Sequence, residues 1–192
     1  MSVLIVSSSN NPLSRSKIAA QQALEWFQQN QVDSQLIQLS EFPLPPFGSQ
    51  ETLETEGFKK LYELTNQATS LIFASPIYNW SICAELKKYV EHIGSTPPDG
   101  SRRGAFFDKI ITFVMAAGLP HSYMAMGPIA LSMMLDFKCI INPYQTYLSN
   151  EHWTKEESLT EQAVKSLQKS LEVHWELDNK LKGRSYASTW QI

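Results

Sequence analysis

Short apolar stretches alternate with longer amphipathic ones along most of the chain. The apolar stretches predict strands at residues 2–7, 34–39, 70–74, 109–116 and 138–147. Between the first two, Ala20, Ala23, Leu24 and Phe27 recur at helical spacing, which predicts a helix over residues 14–29. The same spacing predicts further helices over 54–68, 81–93, 121–137 and 156–181.

The regular alternation predicts the fold class. Apolar strands separated by helices need cover on both faces, which indicates an α/β doubly wound parallel sheet. Pro76 is expected to stop the third strand, and the Pro-rich segment 42–48 excludes regular structure.

The sequence contains no internal repeat and no linker, so we expect one domain over 1–182 and a tail over 183–192. The tail carries Tyr186, Trp190 and Ile192, so it is expected to dock on protein.

Composition narrows the function classes. The chain has 192 residues, a net charge of −3 and 43% hydrophobic residues, which excludes a disordered chain and a strongly basic nucleic-acid-binding protein. Cys83 and Cys139 lie far apart, so a disulfide framework is not expected and a reducing compartment fits. The N-terminus lacks the pattern of a signal peptide, and the apolar stretch 110–119 is too short to span a membrane. A cytoplasmic location without membrane or nucleic-acid partners is therefore expected.

The loops that follow strands one, three and four are where an open α/β sheet binds its ligand. The first loop, SSSNNPLSRS at residues 7–16, offers hydroxyl and amide donors and Arg15 at a helix start, a chemistry that suits a phosphate. It matches neither GxGxxG nor GxxxxGK[ST], so neither a Rossmann dinucleotide site nor a nucleotide triphosphatase is indicated. The alternative is a Ser/Asn-rich turn in which Ser14 or Ser16 caps the helix.

The third of these loops, AAGLPH at residues 116–121, is short and kinked. Gly118 would let the backbone approach a flat ligand closely. A plain turn before a helix is the alternative interpretation.

The second loop carries the most specific pattern. Residues 75–88 read SPIYNWSICAELKK, which resembles the P-x-Y-N-x-S-x-x-x-x-L-K signature of the NADPH-dependent FMN reductase family. That family includes quinone, azo-dye and chromate reductases. The first loop is also similar to the family's phosphate loop, G-S-x-R followed by a serine, with Ser9 at the Ser place and Ser14-Arg15-Ser16 at its end. The resemblance covers about residues 1–180.

The resemblance implies a flavodoxin-like, five-stranded sheet of order 2-1-3-4-5 that binds FMN and uses NADPH or NADH as co-substrate. It implies a homodimer or homotetramer and a small-molecule electron acceptor. The flavin itself carries the chemistry, so no catalytic side chain is expected. The cofactor-binding residues that it implies are Ser9, Asn11, Ser14, Arg15, Ser16, Pro76, Ile77, Tyr78, Asn79, Trp80, Ser81, Ala117 and Gly118.

The chain departs from the family's pattern at four places. Ser8 replaces the loop glycine, and the neutral Asn11 stands where the family has its loop arginine, which leaves Arg15 as the loop's cation. Trp80 stands where the family usually has a small residue. The third loop has Leu119-Pro-His121 instead of paired glycines.

The remaining candidate residues carry weaker indications. His92, His121, His152 and His174 have no metal-ligand spacing, so no metal site is expected, although His121 could touch a substrate. Cys83 is expected to be a small buried residue. Arg102 and Arg103 are either a solvated pair or contacts for a nucleotide phosphate.

Three functions remain open on the sequence alone. The first is an NAD(P)H-dependent FMN reductase that passes electrons to free flavin, a quinone or another small oxidant. The second is a flavodoxin-type electron carrier, which a net charge of only −3 disfavours. The third is a non-catalytic relative of the fold.

Overall fold

A parallel sheet forms the centre of the protein in a computed structural model that describes residues 3–95, 103–183, 186 and 188–189. Its strands are β1 (Val3–Ser7), β2 (Ser34–Gln38), β3 (Ser70–Tyr78), β4 (Ser81–Ile82), β5 (Ile110–Ala116), β6 (Ile140–Ile141) and β7 (Thr146–Leu148). The α-helices are α1 (Arg15–Gln29), α2 (Glu56–Gln67), α3 (Ala84–Ser95), α4 (Met126–Phe137) and α5 (Glu161–Lys180).

The strand order is β2-β1-β3-β5-β6, and β7 pairs with β5 further along the same edge. β6 pairs with the start of β5 at Ile110 and β7 with its end at Ala116, so the two share the fifth place in the sheet. The order 2-1-3-4-5 expected for a flavodoxin-like sheet is therefore confirmed, with a fifth strand in two pieces. Between the pieces, the Gln145 side chain accepts the hydrogen bond of the Phe113 backbone N–H at 2.5 Å.

Side chains that alternate along the strands enter two separate apolar layers. Val3 and Ile5 pack with Phe27 of α1 and with Leu167 and Leu171 of α5. The intervening strand residues face α2, α3 and α4, in a layer made of Leu4, Val6, Phe58, Leu61, Leu71, Phe73, Leu86, Tyr89, Phe113, Met133 and Phe137. Helices thus cover both faces of the sheet, which confirms the doubly wound architecture.

Pro76 does not stop β3, contrary to the sequence prediction. β1 ends opposite Ala74, whose carbonyl accepts from the Ser8 N–H. Pro76 lies two residues after Ala74, so its backbone nitrogen points to the same side of β3, where β1 has already ended. The proline therefore removes no interstrand hydrogen bond. The strand runs on to Tyr78, and the following helix begins at Ala84 rather than at residue 81.

Three other predicted boundaries were also wrong. The helix predicted from residue 121 begins with a 3₁₀ turn, Ser122–Ala125, before α4. The strand predicted over 138–147 is interrupted, and the last helix begins at Glu161 instead of residue 156. The residues predicted to begin the last helix belong instead to a hairpin-like turn, which is closed by a β-bridge between Trp153 and Leu159.

The described part of the chain contains no helix of the length and apolarity needed to cross a membrane. In the tail, Tyr186 is 58% exposed, and the Ser188 carbonyl accepts a hydrogen bond from Arg103. Arg102, Trp190 and Ile192 lie outside the described residues, so the docking of the tail stays a prediction. Arg103 itself forms an ion pair with Asp108 at 2.8 Å.

Candidate functional site

Three loops meet at the carboxyl edge of the sheet. β1, β3 and β5 are parallel neighbours, so the segments that follow them emerge side by side. The chain connections run in opposite directions from this point. The connection after β1 leads to β2 on one side of the sheet, whereas the connection after β3 leads to β5 on the other side. This edge is therefore the switch point at which such sheets bind ligands.

The first loop is folded by its own polar side chains. The Ser9 hydroxyl accepts from the Asn11 N–H at 3.2 Å, and the Asn11 side-chain oxygen accepts from the Leu13 N–H at 3.0 Å. Asn11 therefore shapes the loop. The buried hydroxyls of Ser14 and Ser16 bond to each other at 2.8 Å, and Ser14, although it stands at the N-cap position, forms no side-chain cap.

Unused donors face the same end of α1. Among the described residues, no protein acceptor bonds the backbone N–H groups of Ser9, Asn10, Arg15 or Ser16. The Ser7 hydroxyl is also buried without a partner there. Oriented N–H donors at a helix start, with a buried unpaired hydroxyl beside them, fit a phosphate group. Sequence reasoning had included Ser7 only as part of the loop, and its lack of a partner is visible only in the fold.

Cys83 lies beneath the first loop. Its thiol is 3.1 Å from the Ser8 hydroxyl and 3.3 Å from that of Ser75, which ties the first loop to β3. The side chain is 4% exposed, so the prediction that it is a small buried residue is confirmed.

Arg15 directs its guanidinium towards the segment after β7. Its Nε and one terminal nitrogen donate to the two carboxylate oxygens of Glu157 at 2.9 and 3.2 Å, and the other terminal nitrogen donates to Asn150 at 2.6 Å. The guanidinium also lies over the ring of Trp153, 5.2 Å from its centroid. The Arg15 guanidinium holds the pKa of the Glu157 carboxyl below its usual value. Arg15 is thus at the predicted helix start, but its charge is already paired.

The second loop is a tight hairpin between β3 and β4. Tyr78 pairs with Ser81, and the two central residues, Asn79 and Trp80, have φ values of 49° and 61°. Positive φ at both positions is what a type I′ turn requires. Asparagine tolerates this conformation, whereas a tryptophan there is strained.

The predicted residues of this hairpin separate into two groups. Pro76 and Ile77 are buried and form its base. Tyr78 and Trp80 are each 55% exposed, and Asn79 and Ser81 are exposed as well, so the tip presents two aromatic side chains to solvent at the edge of the site. An exposed indole and phenol at a sheet edge can flank a flat aromatic ligand.

The third loop is fixed by β7 and the residues after it. The half-buried Ala117 donates its N–H to the Leu148 carbonyl at 2.9 Å. The Tyr147 hydroxyl donates to the Leu119 carbonyl. Gly118 is exposed, and a Cβ on it would lie 3.8 Å from the Asn150 side-chain nitrogen. Asn150 therefore lies beside the third loop and accepts a hydrogen bond from Arg15 of the first loop.

The sequence did not indicate that residues 149–160 border the candidate site. Sequence reasoning assigned residues 156–160 to the last helix and gave residues 149–155 no element. Nothing in the composition of this segment indicates that Glu157 contacts Arg15, 142 positions away in the chain. His121 is exposed on the third loop, as expected for a residue near the site. In the described ranges, no three His, Cys, Asp or Glu side chains are arranged to hold a metal ion.

One family model and many solved structures match the chain. The model of a family described as NADPH-dependent FMN reductase matches residues 1–143. FerB, a flavoenzyme NAD(P)H:(acceptor) oxidoreductase from Paracoccus denitrificans, is similar at 13% identity and a TM-score of 0.76, over 93% of this chain and 97% of that chain.

Two further solved structures are similar over nearly the whole chain. The apo form of the NADH:FMN oxidoreductase EmoB gives 17% identity and a TM-score of 0.74, with 98% and 94% of the two chains covered. An azoreductase from Bacillus anthracis gives 19% identity and a TM-score of 0.61, with 93% and 99% covered. At such identities the likeness shows the fold alone. No curated protein sequence matches the chain.

Proposed function

Because the chain belongs to the NADPH-dependent FMN reductase family, we propose that it passes electrons from NAD(P)H through FMN to free flavin, a quinone or another small oxidant. FMN is the cofactor and NAD(P)H the electron donor. The observation that carries the proposal for this chain is the set of unpaired donors at the start of α1, beside the exposed aromatic tip of the β3–β4 hairpin.

The first loop would hold the phosphate. The backbone N–H groups of Ser9, Arg15 and Ser16, with the positive end of the α1 dipole, suit an anion. The hydroxyls of Ser7, Ser9 and Ser14 lie around the same turn and can donate as well. Asn11 would act by keeping the loop in shape, since its side-chain oxygen is occupied by Leu13.

The hairpin and the third loop would hold the flavin ring. When bound, FMN would supply the hydride-transfer chemistry itself, so no protein acid or base is required. The chain's task is to orient the ring and to limit water around it. Backbone groups of Asn79 to Ser81 and of Ala117 and Gly118 can approach the ring's polar edge, while Tyr78 and Trp80 cover apolar area.

The predicted homodimer or homotetramer would cover the outer face of α4. Leu131, Met134 and Leu135 are 54%, 47% and 64% exposed on that helix. Apolar side chains grouped in this way are unusual on a monomer's surface and are typical of subunit contacts. Leu135→Glu should lower the mass measured by light scattering, and an unchanged oligomeric mass would show that this face is not used.

One titration and one turnover assay test the function. FMN added to the purified protein should bind, and NADPH or NADH should bleach the yellow colour, with re-oxidation by added flavin or quinone. A yellow protein that does not react with NAD(P)H would instead support an electron carrier. A protein that takes up no FMN would support a non-catalytic relative.

Two serine variants test the phosphate placement. Ser7→Ala removes the unpaired hydroxyl beside α1 and should weaken FMN by about two- to tenfold, the range for a neutral hydrogen bond. Ser34→Ala is the matched control, because the Ser34 hydroxyl is likewise buried without a partner but lies at the opposite end of the sheet. Equal FMN affinities in the two variants would argue against phosphate at Ser7.

A further inference from the structure

We infer that Glu157 competes with the ligand's phosphate for Arg15, and that this competition weakens the binding of FMN. The competition matters only in a protein that binds flavin at this edge, so it rests on the proposed function. Its basis is the pairing of the loop's cation with a carboxylate from the segment after β7.

Arg15 has no guanidinium nitrogen left unused. Nε and one terminal nitrogen form a two-pronged pair with Glu157, and the third nitrogen donates to Asn150. This fork is the geometry with which arginine also binds phosphate. A phosphate that binds the same edge of the guanidinium must displace Glu157. A phosphate that binds elsewhere on the guanidinium contacts an arginine whose charge is already neutralised by Glu157.

The first loop has no other cation to offer. Asn11 is neutral, and between Ser7 and Ser16 Arg15 is the only charged residue in the sequence. Lys17, two residues after Arg15, lines a groove between α1 and β2 together with Ser7 and Leu36. With Arg15 paired to Glu157, the loop itself therefore offers a phosphate only neutral hydroxyls, backbone N–H groups and the helix dipole, and Lys17 is the next cation along the chain.

Glu157 is held in position by a turn of its own. Its N–H donates to the Thr154 carbonyl at 3.2 Å, and Thr154 in turn donates its N–H to the Ser158 carbonyl at 2.8 Å. The residue has a φ of 59°, a left-handed conformation that costs a glutamate some strain. The Trp153–Leu159 bridge closes the base of this turn. The Glu157 carboxylate is thus held near Arg15 by a turn with its own backbone hydrogen bonds.

The pair is exposed enough to be exchanged. The Arg15 side chain is 31% exposed and that of Glu157 60%. An ion pair at this exposure is weak, so a phosphate can compete with it, but each binding event must break it. Removal of the competing charge should therefore tighten FMN by about two- to fivefold.

Glu157→Gln keeps the size of the side chain and removes its charge. In this variant FMN should bind about two- to fivefold more tightly at low ionic strength, and the gain should shrink as salt is added. Riboflavin, which has no phosphate, should bind wild type and variant equally. Glu156→Gln is the matched control, because Glu156 is an exposed neighbour that forms no ion pair among the described residues.

A double-mutant cycle assigns the effect to Arg15. Arg15→Ala should weaken FMN, and Glu157→Gln added to it should give no further change, since the competed group is gone. Dissociation constants from flavin fluorescence quenching, with melting temperatures for every variant, give readouts that do not depend on turnover.

The inference and the proposed function fail differently. If wild type binds and reduces FMN but Glu157→Gln leaves the FMN dissociation constant unchanged or weaker, the competition is overturned and the reductase stands. An equal gain for riboflavin also overturns it, because the effect would then not involve phosphate. If neither wild type nor any variant binds FMN, the proposed function and the inference are both overturned.

Discussion

Acidification should destabilise the protein through one buried histidine. His174 of α5 is fully buried against the sheet, and its Nδ1 and Nε2 lie 2.8 Å from the hydroxyls of Thr112 and Ser70. Burial lowers the pKa of His174 from 6.5 to about 3, because a charged imidazolium would lose its hydration there. The imidazole is therefore neutral in the folded protein at neutral pH.

The hydrogen bonds around His174 suit the neutral ring. Asn142 donates to the Thr112 hydroxyl at 2.8 Å, so that hydroxyl can donate in turn to His174 Nδ1. His174 Nε2–H can then donate to the Ser70 hydroxyl. Protonation would put a second N–H on the ring facing Thr112, whose own hydrogen would lose its acceptor.

The sign and size of the effect follow from proton binding. Below pH 6.5 the unfolded chain protonates this histidine while the folded protein does not, so stability is full above pH 6.5 and falls as the pH drops towards 3. Each pKa unit corresponds to about 1.4 kcal/mol, which gives a loss of about 2 kcal/mol by about pH 5. Burial raises the pKa of Asp178, which works in the opposite direction and reduces the net loss.

Urea denaturation at about pH 7.5 and about pH 5 measures the loss. His174→Gln retains an amide that can bond both hydroxyls, so it should be less stable at neutral pH but lose about 2 kcal/mol less on acidification. His121→Gln, at an exposed position, is the matched control and should follow wild type. If His174→Gln and wild type lose the same free energy between the two pH values, the neutral buried imidazole is the wrong explanation.

Three further substitutions test the site and the core. Trp80→Ala should partly restore the fluorescence that bound flavin loses, because the indole at the hairpin tip would no longer quench it. Gly94→Ala would place a Cβ 2.3 Å from the Phe137 ring and should lower the free energy of unfolding by about 1–3 kcal/mol, whereas Gly127→Ala meets nothing within 4 Å and should not. Gln145→Ala leaves the Phe113 N–H without its acceptor and should cost about 1–3 kcal/mol in urea denaturation.

The sheet could be predicted because each strand carries its own burial signal. Residues 71–74 form a continuous apolar run and residues 110–116 a run interrupted only by Thr112, and both are completely buried between two helical layers. The amphipathic spacing of α1 likewise placed Ala20, Ala23 and Phe27 in the core. These features depend on neighbours within a few residues, which is the range that a periodic pattern reports.

Strand and helix ends could not be predicted in the same way, because they depend on partners elsewhere. Pro76 continues β3 only because β1 has already ended beside it. The fifth strand is broken where Gln145 replaces a backbone acceptor for Phe113. A proline or a glutamine in the sequence gives no sign of which neighbour will be present or absent.

The candidate site divides along the same line. The first loop was singled out by its hydroxyl, amide and arginine side chains and the second by its resemblance to a family signature, and the fold brings both to one edge with the third loop. The β3–β4 hairpin of the second loop was not predicted. The sequence analysis treated Arg15 as the cation for phosphate, but the fold pairs it with Glu157. That partner comes from a segment that follows the residues matched by the family model, and no pattern in the sequence links it to Arg15, 142 positions away.

Part of the backbone strain lies where the ligand is expected. Asn79, Trp80 and Glu157 have positive φ in segments at the carboxyl edge, and the Ser7 hydroxyl at the end of β1 is buried without a partner among the described residues. The layers beneath are close-packed, with Phe73 at the centre of several aromatic contacts. Such strained conformations persist only when the surrounding structure determines them. The packed sheet therefore supports a strained edge. A ligand bound there would form the hydrogen bonds that the unpaired donors of this edge lack within the protein.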